Sequence, residues 1–110
     1  MKIDVNPHAS VTVVTPHGAI TLEEVEEFRE RLAATVKERE GRVVLDMEYT
    51  PYLDSAGIEA LLELCSSATT AHPRLANLGE TCREALDLTS VLEELEVYDT
   101  VENAIRSYKR

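Results

Sequence analysis

The residues best suited to chemistry in this chain are acidic and hydroxyl side chains near the middle of the sequence. Asp46 and Glu48 follow a short apolar run, and the segment Asp54-Ser55-Ala56-Gly57 stands where a loop leads into a predicted helix. Carboxylates at the end of a parallel strand lie where α/β proteins place their sites. A hydroxyl at a helix N-terminus can carry a phosphate, because unpaired amides lie beside it. The residue types therefore indicate either carboxylate chemistry or a modifiable serine.

The sequence contains no signature of a known catalytic site. It has no phosphate-binding GxxxxGK loop, no GxGxxG, no HExxH and no GxSxG. His8, His17 and His72 are dispersed, and we expect them to be exposed loop residues with no reason to converge on a serine. We therefore predict a protein that is not an enzyme. A small enzyme that uses Asp46 and Asp54 is the third and weakest alternative.

Asp46 also resembles a phosphoacceptor, since it ends a predicted strand. Phosphorylation of such an aspartate needs further carboxylates to hold Mg²⁺, ordinarily a pair after the first strand. That region offers only Asp4, and no lysine ends a late strand. We expect instead that Asp46 accepts hydrogen bonds from the adjacent loop, and we predict no metal site and no cofactor.

The segment from Asp54 to Gly57 has two interpretations. In one, Asp54 or Ser55 caps the helix by accepting a hydrogen bond from a free amide, a contribution of about 1 kcal/mol, and Gly57 is merely small. In the other, Ser55 is a phosphorylation site, where a phosphate would add about −1.5 to −2 charges. Spacing alone leaves both open.

Short runs of apolar and β-branched residues predict the strands that position these residues. The predicted strands are Lys2–Val5, Ser10–Thr15, Arg42–Met47, Arg74–Leu78 and Glu96–Tyr98. Asn6-Pro7 and Pro16 with Gly18 are expected to end the first two strands. The third strand follows a long helix and is expected to pair parallel to an earlier one.

Four helices are expected between and after these strands. The first opens with the capping box Thr21–Glu24 and ends near Gly41. Its apolar stripe comprises Leu22, Val25, Phe28, Leu32 and Val36. The second helix carries the stripe Ile58, Leu61, Leu62, Cys65 and Ala68, and His72-Pro73 stops it. A second capping box, Thr81–Glu84, opens a short third helix.

The last helix follows Asp99-Thr100, carries the stripe Val101, Ala104, Ile105 and Tyr108, and ends at the basic pair Lys109-Arg110. The resulting order is β-β-α-β-α-β-α-β-α. It predicts an α/β fold over residues 1–110, a single domain in which helices pack on a mixed, mostly parallel sheet.

Charge and composition limit the partners. With 21 acidic and 11 basic residues the formal net charge is −10, which argues against binding nucleic acid or anionic lipid and favours a protein with a basic face. No apolar run approaches the ~20 residues that cross a bilayer, and the N-terminus lacks a secretory core. Cys65 and Cys82 have no ligand spacing, so we expect two reduced thiols in a cytoplasmic protein.

Around Ser55 the sequence resembles the STAS domain family, whose best-known members are bacterial anti-sigma factor antagonists. Val43–Asp46 followed by Tyr52–Ile58 resembles the family's central strand, loop and phosphorylatable helix start. Gly18–Thr21 is similar to the glycine turn after its early strand. Arg83–Leu95 and Val97–Ile105 resemble its closing helix, strand and helix, so the resemblance covers nearly the whole chain.

The resemblance implies a binding protein controlled by phosphorylation. The unphosphorylated form would bind an anti-sigma factor serine kinase and release the sigma factor. Phosphorylation on Ser55 would end binding, and a serine phosphatase would restore it. Asp54 would be the flanking acid, Gly57 a position of close approach and Asp46 the strand-end aspartate. The residues expected to contact the partner are Gly18, Asp54, Ser55, Ala56, Gly57 and Ile58, with Gly79 and Glu80 bordering the same surface.

Other members of the family serve in lipid-transport ABC systems, stress-sensing complexes and anion-transporter tails. A chain of 110 residues is expected not to be a transporter tail, whereas a subunit of an ABC-type lipid transport system or a stress-sensing complex stays an alternative. The sequence departs from the antagonist pattern at Ala56, where Ser or Thr is common, and at Thr89-Ser90, where Thr-Gly is usual. It does not indicate whether two copies associate.

Overall fold

The computed structural model of the chain describes residues 1–68 and 71–108, and its elements follow the predicted order. The strands are β1 (Lys2–His8), β2 (Val11–His17), β3 (Val43–Asp46), β4 (Arg74–Ala76) and β5 (Val97–Tyr98). The helices are α1 (Val25–Glu38), α2 (Ser55–Cys65), α3 (Glu80–Leu88) and α4 (Val101–Arg106), with a 3₁₀ turn at Leu92–Glu94. The basic pair Lys109-Arg110 lies outside the described residues.

The strands form one sheet in the order β1-β2-β3-β4-β5. β1 pairs antiparallel with β2 through a tight hairpin, and the other neighbours are parallel, with Val13 opposite Val44 and Leu45 opposite Leu75. Parallel neighbours need a crossover connection, which the intervening helices supply. The mixed, mostly parallel sheet and the α/β fold are therefore confirmed.

Helices cover both faces of the sheet. The larger core packs α1, α2 and α3 against one face, and its buried side chains include Phe28, Leu32, Leu45, Leu61 and Leu75. A smaller core lies beneath α4 on the other face; its buried members are Val11, Val13, Val44, Ala76 and Ala104. With both faces covered, the loops that follow β2, β3 and β4 are left to carry functional groups.

The prolines do not end the first two strands, so those predicted boundaries are wrong, although β2 does end directly before Gly18. β1 continues through Asn6-Pro7 and β2 through Pro16. β1 is an edge strand, where the missing N–H of Pro7 costs no pairing, and Pro16 lies beyond Val14, the last residue of β2 in register with β3.

Two predicted capping boxes are also wrong. α1 begins at Val25 with no side-chain cap, and the Thr21 carbonyl instead accepts the Glu24 N–H in a turn. Leu22 therefore lies before the helix and is 73% exposed. α3 begins one residue before Thr81, with Gly79 at its N-cap.

The predicted end of α1 is confirmed by the structure, whereas the predicted end of α2 is wrong. Gly41, at φ +80°, donates its N–H to the Val36 carbonyl and closes α1 as expected. α2 ends at Cys65, well before His72-Pro73, because Ser66 forms a bridge with Leu95. Leu62 and Ala68, which we predicted in the apolar stripe of this helix, are exposed, so their inclusion was wrong.

Candidate functional site

Ser55 is the first residue of α2, and its side chain is exposed. The N-cap is Asp54, whose backbone is extended and whose Oδ1 accepts the Gly57 N–H at 3.0 Å. Within residues 1–68 and 71–108, no hydrogen bond engages the Ser55 hydroxyl. The capping interpretation is therefore confirmed for Asp54, and the serine hydroxyl is left to solvent.

The second carboxylate oxygen of Asp54 reaches a different part of the chain. Oδ2 accepts the Leu22 N–H at 2.9 Å, which joins the start of α2 to the turn after β2. These backbone donors, first Gly57 and then Leu22, lower the pKa of Asp54 below its usual value. The carboxylate is therefore charged at neutral pH and holds two segments together.

Gly57 is buried against the backbone of Ile20. A Cβ at Gly57 would stand 2.3 Å from the Ile20 carbonyl oxygen, a distance that side chains do not tolerate. Ile20 forms a parallel bridge with Leu53, and its carbonyl accepts the Asp54 N–H at 3.3 Å. Gly57 is thus a position of close backbone approach. Because it is buried, it lets α2 pack against Ile20 and does not itself form part of the exposed surface.

Asp46 anchors the loop that precedes this helix. It is buried, and its Oδ1 accepts the Glu48 N–H at 3.1 Å and the Asn77 Nδ2 at 3.0 Å. The predicted hydrogen bonding to the adjacent loop is confirmed. The bond to Asn77 also ties the end of β3 to the residue that follows β4.

The turn at Gly18 is joined to the same loop. Gly18 adopts φ +112°, which favours glycine, and donates its N–H to the Tyr49 carbonyl at 2.9 Å. Of the other predicted contact residues, Ala56 and Ile58 are half-buried against the core, so each presents only part of its surface. Gly79 and Glu80 are exposed after β4, at the same edge of the sheet.

The sequence did not reveal the exposed apolar side chains on the loops that are joined to the start of α2. Leu22 is 73%, Tyr49 52% and Tyr52 49% exposed, and together they make up half of the six large hydrophobic side chains found exposed in the described chain. Hydrogen bonds from Gly18 and to Asp54 join the loops that carry them. The only sequence signal was two tyrosines flanking Pro51. We call Leu22, Tyr49, Tyr52 and Ser55 the Ser55 surface.

Two histidines are not the exposed loop residues that we predicted. The His17 ring stacks on Tyr49 with centroids 4.9 Å apart, and its Nε2 lies 2.9 Å from Asp4 Oδ2. The His72 side chain is only 12% exposed and pairs with Glu96. His8 is exposed, but it ends β1 rather than lying in a loop.

Other groups show no separate site in the part of the chain that the structure describes. Its His, Cys, Asp and Glu side chains form no group of three or more able to hold a metal ion. Cys65 and Cys82 are buried free thiols, and burial raises the pKa of both. None of the described helices has the length and apolar character needed to cross a membrane.

A family model described as "STAS domain" matches residues 2–104. Comparison with curated proteins found no significant match.

Solved structures share the fold at low sequence identity. An anti-sigma factor antagonist from Mycobacterium paratuberculosis is 21% identical with a TM-score of 0.79, covering 96% of this chain and 92% of its own. An anti-sigma-factor antagonist (STAS) domain protein from Planctomyces limnophilus is 22% identical with a TM-score of 0.77, covering 96% of both chains. The unphosphorylated form of the anti-sigma factor antagonist SpoIIAA is 18% identical with a TM-score of 0.69, covering 96% of this chain and 95% of its own.

Proposed function

This chain belongs to the STAS domain family, and from that premise we propose that it is an anti-sigma factor antagonist controlled by phosphorylation of Ser55. The unphosphorylated chain binds an anti-sigma factor serine kinase and so releases the sigma factor. Phosphorylation of Ser55 ends the binding, and a serine phosphatase restores it. The protein acts in the cytoplasm by binding rather than by catalysis, and it needs no cofactor.

The observation that carries this proposal is the free, exposed Ser55 hydroxyl at the start of a helix whose neighbouring loops carry exposed apolar side chains. Asp54 caps α2, so the unmodified fold does not need the Ser55 hydroxyl as a cap. Aromatic side chains such as Tyr49 and Tyr52 are typical anchors of protein interfaces. The proposed contact residues are Gly18, Leu22, Tyr49, Tyr52, Asp54, Ser55, Ala56 and Ile58.

The chemistry of the surface explains why a phosphate would oppose binding. The first turn of α2 has no acidic side chain of its own, so phosphorylation adds about −1.5 to −2 charges next to the single charged carboxylate of the N-cap Asp54. The free amides at the helix start accept that charge, and the fold is retained. Burying a dianion against apolar side chains of a partner costs free energy, because the charge loses its hydration.

Relatives support the assignment. SpoIIAA is named as an anti-sigma factor antagonist, and its structure is also known in the phosphorylated form, which matches this chain with a TM-score of 0.63 over 98% of its length. A protein of the same fold therefore exists in both of the states that we propose here.

Incubation with ATP and each serine-kinase-type anti-sigma factor of the source organism tests the modification. We expect intact-mass analysis to show one added phosphate and fragmentation to place it on Ser55. Ser55→Ala should remain unmodified, whereas Ser67→Ala, a matched change at an exposed serine beyond the end of α2, should be phosphorylated normally. A phosphate on any other residue would contradict the proposal.

A binding measurement tests the consequence. Ser55→Asp should weaken binding of the same kinase while the free energy of unfolding stays within about 0.5 kcal/mol of wild type, as for most surface substitutions. Recovery of a transporter ATPase from cells, with Ser55 unmodified, would instead favour a constitutive subunit of an ABC-type lipid transport system.

A further inference from the structure

The two oxygens of the Asp54 carboxylate bind different elements. Oδ1 caps α2 through the Gly57 N–H at 3.0 Å, and Oδ2 accepts the Leu22 N–H at 2.9 Å. We call this pair of hydrogen bonds the Asp54 bridge. Since a charged acceptor strengthens each bond, the bridge holds the Leu22 turn, residues 21–24, against the start of α2.

The Leu22 turn has few other ties to α2. The chain before the turn pairs with the loop that precedes α2, but this pairing ends at Ile20. The Ile20 N–H donates to the Tyr52 carbonyl at 3.3 Å. Within the turn, the Glu24 N–H bonds to the Thr21 carbonyl, which does not reach α2. The buried Ile20 and Val25 fix the two ends of the turn, and between them the Leu22 N–H is the group that Asp54 holds against α2.

A phosphate on Ser55 would stand one residue from this carboxylate. Its oxygens would compete with Asp54 for the amides at the start of α2, including Gly57 N–H, because anions bind at helix N-termini. The two negative charges would also repel each other at short range. Both effects move Asp54 away from its donors.

We infer that Asp54 is a positioning residue that transmits the phosphorylation state of Ser55 to the Leu22 turn. In the unphosphorylated chain the bridge holds Leu22 beside Ser55, in the arrangement that the partner binds. Phosphorylation breaks the bond to the Leu22 N–H and releases the turn. This inference rests on the proposed function for its biological meaning, but its structural content concerns the chain alone.

Amide hydrogen exchange, followed by NMR on the isolated chain, tests the release. We compare the unmodified chain with a chain carrying phosphoserine incorporated at position 55. Exchange of the Leu22 amide should accelerate about tenfold, since the charge-assisted hydrogen bond is lost, while exchange of the Ile20 amide stays unchanged. Unchanged exchange at Leu22 would overturn the inference.

Asp54→Asn separates the two bonds of the bridge. Asparagine caps helices as well as aspartate does, but its side chain has one acceptor oxygen instead of two. We expect the Gly57 amide to stay protected and the Leu22 amide to exchange as fast as in the phosphorylated chain. Phosphoserine added to this variant should then change Leu22 little further. An equal further increase would show that Asp54 does not carry the signal.

Asp87→Asn provides the matched control, since Asp87 is an exposed aspartate on α3. It should leave exchange at Leu22 unchanged, and a change there would also contradict the inference. None of these measurements needs a partner. If no anti-sigma factor binds but Leu22 is released, the proposed function fails and the role of Asp54 stands. If binding depends on Ser55 but Leu22 is not released, the reverse holds.

Discussion

The Ser55 surface and the polar cluster beside α4 are built from similar side chains that are used in opposite ways. We define the α4 cluster as His72, Arg74, Glu96, Ser107 and Tyr108. Both regions contain tyrosine and serine, and a histidine lies in or beside each. At the Ser55 surface the serine and tyrosine side chains are exposed, although Tyr49 stacks on His17, whereas in the α4 cluster the side chains bind one another and the backbone.

Tyr108 shows how closely the α4 cluster is bonded. Its hydroxyl lies 2.9 Å from the Val43 carbonyl and 3.0 Å from the Gly41 carbonyl, and it also accepts the Val43 N–H. The Arg74 guanidinium lies 4.0 Å from the centre of its ring. Burial raises the pKa of Tyr108, partly offset by the charge of Arg74.

Glu96 joins the rest of that cluster. One of its oxygens lies 2.8 Å from His72 Nε2, and the other accepts the Tyr98 hydroxyl at 2.8 Å and lies 3.3 Å from Arg74 Nε. Arg74 also donates to the Ser107 hydroxyl at 2.7 Å. Apart from Arg74 Nε, which has no hydrogen-bond partner in the described chain, these polar groups are bonded inside the fold and support its stability. An exposed, unbonded hydroxyl is instead suited to a partner.

The largest expected contrast is between two tyrosines. Tyr108→Ala should lower the free energy of unfolding by about 2–4 kcal/mol, because it removes a packed ring and leaves backbone groups without partners. Tyr52→Ala should change it by less than about 0.5 kcal/mol while weakening partner binding. Urea denaturation measures both variants, and equal losses of stability would break the comparison.

Glycines give the next contrast. Gly57→Ala places a Cβ against the Ile20 carbonyl, and we expect a loss of about 1–3 kcal/mol, typical of overpacking. Gly79→Ala is the control, since a Cβ there meets nothing within 4 Å and its φ is −72°. The midpoints of urea denaturation measure this difference in stability, provided that the dependence of the unfolding free energy on urea is the same in both variants. A Gly57→Ala protein as stable as wild type would show that α2 can shift away from Ile20.

Serine substitutions should have smaller effects on stability. Ser107→Ala removes the acceptor for Arg74 Nη1, and we expect a cost of about 1 kcal/mol. Ser55→Ala removes a hydroxyl that makes no hydrogen bond in the described chain and should be neutral in thermal denaturation. A clear loss of stability in Ser55→Ala would mean that the Ser55 hydroxyl stabilises the folded state.

The smallest expected effect concerns pH. Burial raises the pKa of Glu96, but hydrogen bonds from His72 and Tyr98 and the charge of Arg74 outweigh it, so its pKa falls below the usual 4.5. A carboxyl with a lowered pKa stabilises the fold above its unfolded value, and that stability is lost as pH falls through the folded pKa. Denaturation in steps below pH 5 should therefore show a shallower decline for Glu96→Gln than for wild type. Parallel curves would contradict this account.

Local patterns predicted the order of elements and the central part of the site. Val43–Asp46 is apolar enough to be recognised as a buried strand, and Asp54 is a standard N-cap immediately before Ser55. Both features depend on neighbouring residues in the sequence. They were therefore accessible without knowledge of tertiary contacts.

The missed features depend on distant parts of the chain. Leu22 fits a helical stripe, but the turn held by Asp54, 32 residues away, keeps it in solvent. His72 pairs with Glu96, 24 residues away, so its burial has no local signal. Pro7 interrupts no strand because β1 lies at the edge of the sheet, a fact that only the topology reveals.

The most direct test of the central claim is the affinity of the anti-sigma factor kinase for the chain with and without phosphoserine at position 55, measured by calorimetry at two salt concentrations. We predict that phosphorylation weakens binding at least about tenfold, or about 1.4 kcal/mol, and that added salt narrows the difference where the charge stays exposed. Equal affinity of the two forms would contradict the claim that Ser55 controls binding.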